Sequence, residues 1–248
     1  GKDEEFRKNL IDRNIKALSR VFDDIFRLRT MDKKWIKNNV DFGNLDEFIQ
    51  AVKRKKGAIL ATGHFGSFDI VAWTLSISGA PIEYIARDAN PKVLDRWLKE
   101  TRTHYGNKII PREGAFKQFM RSLREGRAVG MLFDQNITVN HAVFVDFFGK
   151  MAATTKTLGY AVVASSSPLF ICSIVPTDDV KYKILLERIP TEDIVDNAEF
   201  NKEQKIFEIT QRITKRFEKI IIDDPEHWFW MHRRWKTTEK GVEGDFYN

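Results

Sequence analysis

A chain of 248 residues with 42% hydrophobic and 31% charged side chains is globular in composition and the size of one domain. Its single cysteine, Cys172, excludes an internal disulfide and a cysteine-rich zinc module, and makes a reducing compartment the expectation. The 41 basic and 35 acidic residues leave a formal charge of +6, and the opening Gly1-Lys2-Asp3-Glu4-Glu5 lacks the apolar core of a signal peptide.

Residues 4–29 read as an amphipathic helix. Phe6, Leu10, Leu18, Val21, Phe22, Ile25 and Phe26 recur at spacings of three and four, with Arg7, Arg13, Lys16, Arg20 and Arg27 at other positions. Such a helix packs on a core or lies on a membrane. An alternating pattern follows: strand 58–62, helix 66–78, strand 82–86, helix 91–104 opened by Pro91, strand 108–110, helix 114–125 and strand 128–133. A helix near 154–165, strands near 169–175 and 180–188, and a long helix over 201–222 complete it. This order predicts a single α/β domain, its central, largely parallel mixed sheet flanked by helices. The longest uncharged run, Thr157 to Thr177, could span a bilayer by length, but Ser165-Ser166-Ser167-Pro168 breaks it into a helix, a turn and a strand.

The charge is unevenly placed. Residues 1–57 carry +5 and residues 87–127 carry +6, whereas residues 58–86 hold no Lys or Arg and carry −2. A basic first half fits an anionic partner, whether nucleic acid, an anionic membrane, a phosphorylated substrate or an acidic carrier protein; it also fits a solvated helix face. No nucleic-acid-binding motif accompanies it, so nucleic acid is not the expected partner.

Parallel α/β sheets place their sites where strands end and helices begin, which directs attention to the segments after Thr62, Ala86, Ile110 and Phe133. The first is Gly63-His64-Phe65-Gly66-Ser67-Phe68-Asp69. Residues five apart on a regular helix are separated by about 140°. His64 and Asp69 can therefore meet only with His64 in the loop and Asp69 in the first helical turn. A carboxylate on one imidazole nitrogen would fix the tautomer and raise the basicity of the other, making His64 a general base; the alternative is a capping histidine. A Ser67 hydrolase is disfavoured, because the nucleophile elbow needs Gly-x-Ser-x-Gly. His104, His141, His227 and His232 form no ligand cluster, so no metal is expected.

The blocks at these strand ends carry a resemblance. A strand followed by His-x4-Asp resembles the lysophospholipid acyltransferase superfamily. Gly63-His64-Phe65-Gly66, Ala86-Arg87-Asp88-Ala89-Asn90-Pro91, Ile110-Pro111-Arg112-Glu113-Gly114-Ala115 and Leu132-Phe133-Asp134-Gln135-Asn136 are similar, in order, to blocks of the bacterial lipid A late acyltransferases. Val145-Asp146-Phe147-Phe148-Gly149 through Thr155 and Trp230-Met231-His232-Arg233-Arg234-Trp235-Lys236 follow, so the resemblance spans roughly residues 10–237. It implies an acyltransferase that moves a fatty acyl chain from an acyl thioester to a glycolipid hydroxyl, preferably on a lipid A precursor. His64 would act as base and Asp69 would orient it. Arg87 would stabilise the oxyanion, and Asn90, Arg112, Asp134, Gln135, Arg233 and Arg234 would contact substrate.

The donor would be acyl carrier protein or coenzyme A thioester, with no cofactor beyond it. The partners would be the carrier, the lipid acceptor and an anionic membrane surface, at the cytoplasmic face of a bacterial inner membrane. A lysophospholipid or other membrane glycolipid is the alternative acceptor, and an esterase or thioesterase the alternative reaction. The lipid A branch usually has Asn-Trp-Glu where this chain has Ser67-Phe68-Asp69, and its members usually carry an N-terminal hydrophobic anchor. Attachment would therefore be peripheral, or through an anchor that this sequence does not include. The expected division is an amphipathic helical segment over 1–43, a catalytic domain over 44–237 and a tail over 238–248.

Overall fold

The first helix, α1 (Lys2–Arg27), runs through a single 3-10 turn at Leu28–Thr30 into α2 (Lys33–Asn39), whose start is capped by the Asp32 carboxylate accepting from Trp35 N–H. The computed structural model describes residues 2–86, 88–178, 181–240 and 247. After β1 (Val40–Asp41) and α3 (Asp46–Lys53) comes the alternation read from the sequence: β2 (Ala58–Thr62), α4 (Phe68–Ile77), β3 (Ile82–Ala86), α5 (Lys92–Thr103), β4 (Lys108–Pro111), α6 (Ala115–Arg124) and β5 (Ala128–Leu132). A hairpin of β6 (Ala142–Phe147) and β7 (Lys150–Thr155) precedes α7 (Thr157–Ser165), β8 (Leu169–Pro176) and β9 (Tyr182–Ile189). The short α8 (Glu192–Val195) leads to the long α9 (Lys202–Asp223), opened by a capping box between Asn201 and Gln204.

Among the described residues the main sheet has the order β1-β9-β8-β2-β5-β3-β4, and only β8–β9 is antiparallel. The expected single α/β domain with a largely parallel mixed sheet is what the chain forms. Strands β2, β5 and β8 are largely buried on both faces and read as nearly continuous apolar runs, whereas β9 alternates buried and exposed residues. Ile59 and Ala61 point to one core, shared with Phe119 of α6, Leu158 of α7 and Ile213 and Phe217 of α9. Leu60 points to the other, shared with Ile36 of α2, Phe48 of α3 and Ile70 and Trp73 of α4. Each such fully buried large apolar side chain contributes about 1.5–3 kcal/mol.

One feature differs from the sequence reading. Residues 150–155 are a strand, so the helix expected near 154 starts at Thr157. Segment 1–43 is joined to the rest of the domain: β1 pairs with β9, and α1 hydrogen-bonds to residues 226 and 228. The uncharged run divides as expected, with Ser166 taking up φ +52° between α7 and β8. Among the described residues no helix is long and apolar enough to cross a membrane.

Candidate active site

The loop between β2 and α4 is pinned from below. Gly66 has φ +56°, and a Cβ there would stand 2.0 Å from the Ile174 carbonyl oxygen, so only glycine fits. Gly66 N–H donates to His227 O, and Phe229 N–H donates to His64 O at 3.0 Å. The loop and segment 227–229 thereby run together as a short bridge, with Phe65 opposite Trp228.

His64 stands at this turn with its side chain 31% exposed, open enough to meet a substrate. Its Nδ1 lies 2.8 Å from Asp134 Oδ1. Asp134 Oδ2 accepts from His64 N–H at 2.9 Å and from the Trp228 indole N–H at 2.8 Å. Burial pushes the Asp134 carboxyl up, but the His64 ring, the Trp228 indole and the His64 amide outweigh it and hold its pKa below the usual range. An ionised carboxylate can only accept, so Nδ1 carries the proton and Nε2 presents a lone pair. The Gln135 carboxamide nitrogen lies 3.3 Å from Nε2.

The carboxylate beside the imidazole is thus Asp134, and the expected contact from Asp69 is corrected. Strands β2 and β5 are adjacent and parallel, with Thr62 opposite Leu132. Residues two positions beyond each strand end, His64 and Asp134, are therefore neighbours. Asp69 lies in the first turn of α4 and takes both its hydrogen bonds from Arg102 of α5, from Nε at 2.9 Å and Nη2 at 3.0 Å. Asp69 is 7% exposed and the Arg102 side chain 17%. Ser67 is also turned away from the ring: its hydroxyl donates to the buried Asp24 carboxylate of α1. It is therefore no nucleophile for His64.

His64, Asp69, Arg102, Arg112 and Gln135 share the wall of a cavity of about 760 Å³ at the C-terminal ends of β2, β3 and β5. Its lining comes from both faces of the sheet, with Leu60, Ile82 and Cys172 on the α4 side and Met131, Phe133 and Phe116 on the α6 side. Arg112 is exposed at the rim. Asn90 is exposed beside its cis bond to Pro91 and does not line the cavity. Arg87 lies outside the described residues.

Arg234 departs from its expected substrate contact. It is 1% exposed, donates to Ala153 O and Thr154 Oγ1, and lies over the Phe147 ring, so it ties the C-terminal segment to the β6–β7 hairpin. Arg233 stands over the Tyr247 ring and is not on the cavity wall. Sequence reasoning missed Arg102 and gave Trp228 no role of its own. Both act through contacts set by tertiary packing, and the only local signal was the aromatic-rich stretch around Trp228.

The arrangement can deprotonate a hydroxyl at Nε2, stabilise the resulting imidazolium through Asp134, and offer polar donors nearby in Gln135 and Arg112. Residues 1–237 match the family described as bacterial lipid A biosynthesis acyltransferase. The chain is 23% identical over 241 residues to a lipid A biosynthesis acyltransferase of Haemophilus influenzae, covering 97% of this chain and 73% of that protein. It is 28% identical over 160 residues to a phosphatidylinositol mannoside acyltransferase of Mycolicibacterium smegmatis, covering 63% and 52%. With a lipid A biosynthesis myristoyltransferase of Escherichia coli it shares 24% identity over 211 residues, covering 83% and 62%. The matched region thus spans from about half to about three quarters of these relatives.

Proposed function

The chain belongs to the bacterial lipid A biosynthesis acyltransferase family, and from that premise we propose that it transfers a fatty acyl chain from an acyl thioester to a hydroxyl of a glycolipid. The observation that carries the reading is the His64–Asp134 pair, with the second imidazole nitrogen on the Gln135 side of the cavity. His64 Nε2 removes the proton of the acceptor hydroxyl as its oxygen attacks the thioester carbonyl carbon. The new C–O bond leaves a tetrahedral oxyanion, for which Gln135 and Arg112 are two of the polar side chains on the wall. Collapse of the oxyanion breaks the C–S bond, and the imidazolium returns its proton to the leaving thiolate. Asp134 holds the ring and balances its transient charge.

The preferred acceptor is a lipid A precursor, and relatives that act on phosphatidylinositol mannoside keep other glycolipids in view. Acyl carrier protein or coenzyme A supplies the thioester, with no further cofactor. The exposed basic side chains of α5 and α6 suit an acidic carrier. Work on a lipid acceptor puts the protein at a membrane surface, which we assign to the cytoplasmic face. To test the reading, the purified chain is incubated with carrier-linked or coenzyme A-linked donors and a glycolipid acceptor, and the lipids are weighed by mass spectrometry. The expected result is an acceptor heavier by one acyl chain, lost in His64→Ala. Free fatty acid as the sole product would identify a thioesterase instead.

A further inference from the structure

Strand β5 lies inside the sheet between β2 and β3, and its middle residue is Gly130. Glycine weakens a strand interior: it packs nothing and loses the most backbone freedom on folding. Its φ is not in the left-handed region, so the backbone conformation does not require it. Nor does close packing. At Gly63 and Gly159, which also lack a positive φ, a Cβ would meet the Phe217 ring at 2.0 Å and the Ile206 carbonyl oxygen at 2.7 Å. At Gly130 its tightest neighbour would be Ile82 Cδ1 at 3.3 Å, the movable end of a side chain, then Tyr84 Cβ at 3.5 Å.

What the missing side chain leaves is room in the cavity. Gly130 lines it together with Leu60, Ile82 and Cys172, which are 2%, 4% and 0% exposed and carry no charge. The charged residues on the α4 side of the wall, Asp69 and Arg102, are already paired with each other. The wall beside Gly130 is therefore buried and largely apolar, its polar atoms being the Tyr84 and Thr62 hydroxyls and the Asp69–Arg102 pair, and it suits methylene groups better than a charged headgroup.

We infer that Gly130 determines how far the donor's hydrocarbon chain reaches between the sheet and α4, and hence the longest acyl chain this protein accepts. The inference rests on the acyl transfer proposed above. A methyl or isopropyl group at position 130 would occupy the path of the chain, and a pocket discriminates each methylene by about 10-fold or more.

The test uses the full chain and its G130A and G130V variants. Equilibrium binding of fatty acids of graded length is measured as a non-reactive probe, alongside kcat/KM for thioester donors of matching length. G130A is expected to melt at or above the parent temperature. Its longest well-bound fatty acid should shorten, and kcat/KM should fall about 10-fold for the longest donors while the short ones are spared. G130V should shorten the limit further; if it fails to fold, G130A decides alone. A folded G130A with an unchanged length profile overturns the inference, as does equal loss at every length or a parent that binds no fatty acid. A shortened binding profile in a protein that transfers no acyl group upholds the inference and sinks only the proposed reaction.

Discussion

His64 and Asp134 are 70 residues apart in the chain, and strand register alone brings them together. His64 was legible because its motif is local: a glycine-flanked histidine directly after a buried strand. Its partner was not, because pairing of β2 with β5 is a tertiary fact, and the nearer Asp69 satisfied every local condition. The two carboxylates now separate by experiment. Asp134→Asn removes the charge that balances the imidazolium and disturbs the tautomer, so single-turnover acyl transfer should fall by about 10²–10⁴. Asp69→Ala instead strands Arg102 without its partner, and urea unfolding should report a loss of about 3 kcal/mol. Equal losses of stability with normal transfer in both variants would overturn this division. Trp228→Phe keeps the aromatic packing but deprives Asp134 of one buried donor; transfer should fall about 10-fold with the fold retained.

At the scale of the element, α1 shows where hydrophobic periodicity misleads. Phe22 and Phe26 belong to its apolar repeat, yet they are 63% and 61% exposed, while Asn14 and Asp24 are 6% and 2% exposed. The packed face combines the half-buried Leu10, Leu18, Val21 and Ile25 of that repeat with a set of hydrogen bonds. Asn14 Nδ2 donates to Glu226 O and Trp228 O, each at 2.7 Å, and Asp24 accepts from Ser67 and Tyr182. One helix thereby holds both the loop after His64 and the segment carrying Trp228. Asn14→Ala leaves two backbone carbonyls without these donors and should cost about 2 kcal/mol in urea unfolding. Asp24 gives a pH signature. Burial raises its pKa despite the Ser67 and Tyr182 hydrogen bonds, so the folded state binds its proton more tightly than the unfolded chain. Its contribution is full below the ordinary carboxylate range and is lost as pH rises through the folded value. The stability of the parent minus that of Asp24→Asn should therefore fall as pH rises across the weakly acidic range. A pH-independent difference would refute the assignment.

For the whole molecule, the alternation of strands and helices was enough to place the cavity at the C-terminal edge of the sheet, because connection chirality and parallel pairing leave few other arrangements. The β6–β7 hairpin escaped notice, since Lys150–Thr155 is a run of small and polar residues without apolar alternation. Net charge was the least informative sequence feature until the fold divided it. Within the basic stretch, Arg102 is bound to Asp69, Arg127 to Glu83 and Glu125, Arg121 to Glu125, and Lys99 to Asp88 and Asp95. Lys92, Arg96, Arg112, Lys117 and Arg124 are exposed and have no ion-pair partner among the described residues. Arg112 lines the cavity, and Lys92, Arg96 and Lys117 sit early in α5 and α6, at the edge of the sheet that carries the cavity and where an acidic carrier would deliver a thioester. Steering of this kind acts on encounter and weakens as salt shortens the Debye length. Replacing Lys92 and Lys117 together by Glu should raise KM for the carrier-linked donor by about 10-fold at low salt and leave kcat unchanged. Raising the ionic strength should bring parent and variant together. If KM for the carrier-linked donor responds neither to salt nor to charge reversal, the carrier docks elsewhere and this basic face is only solvated surface.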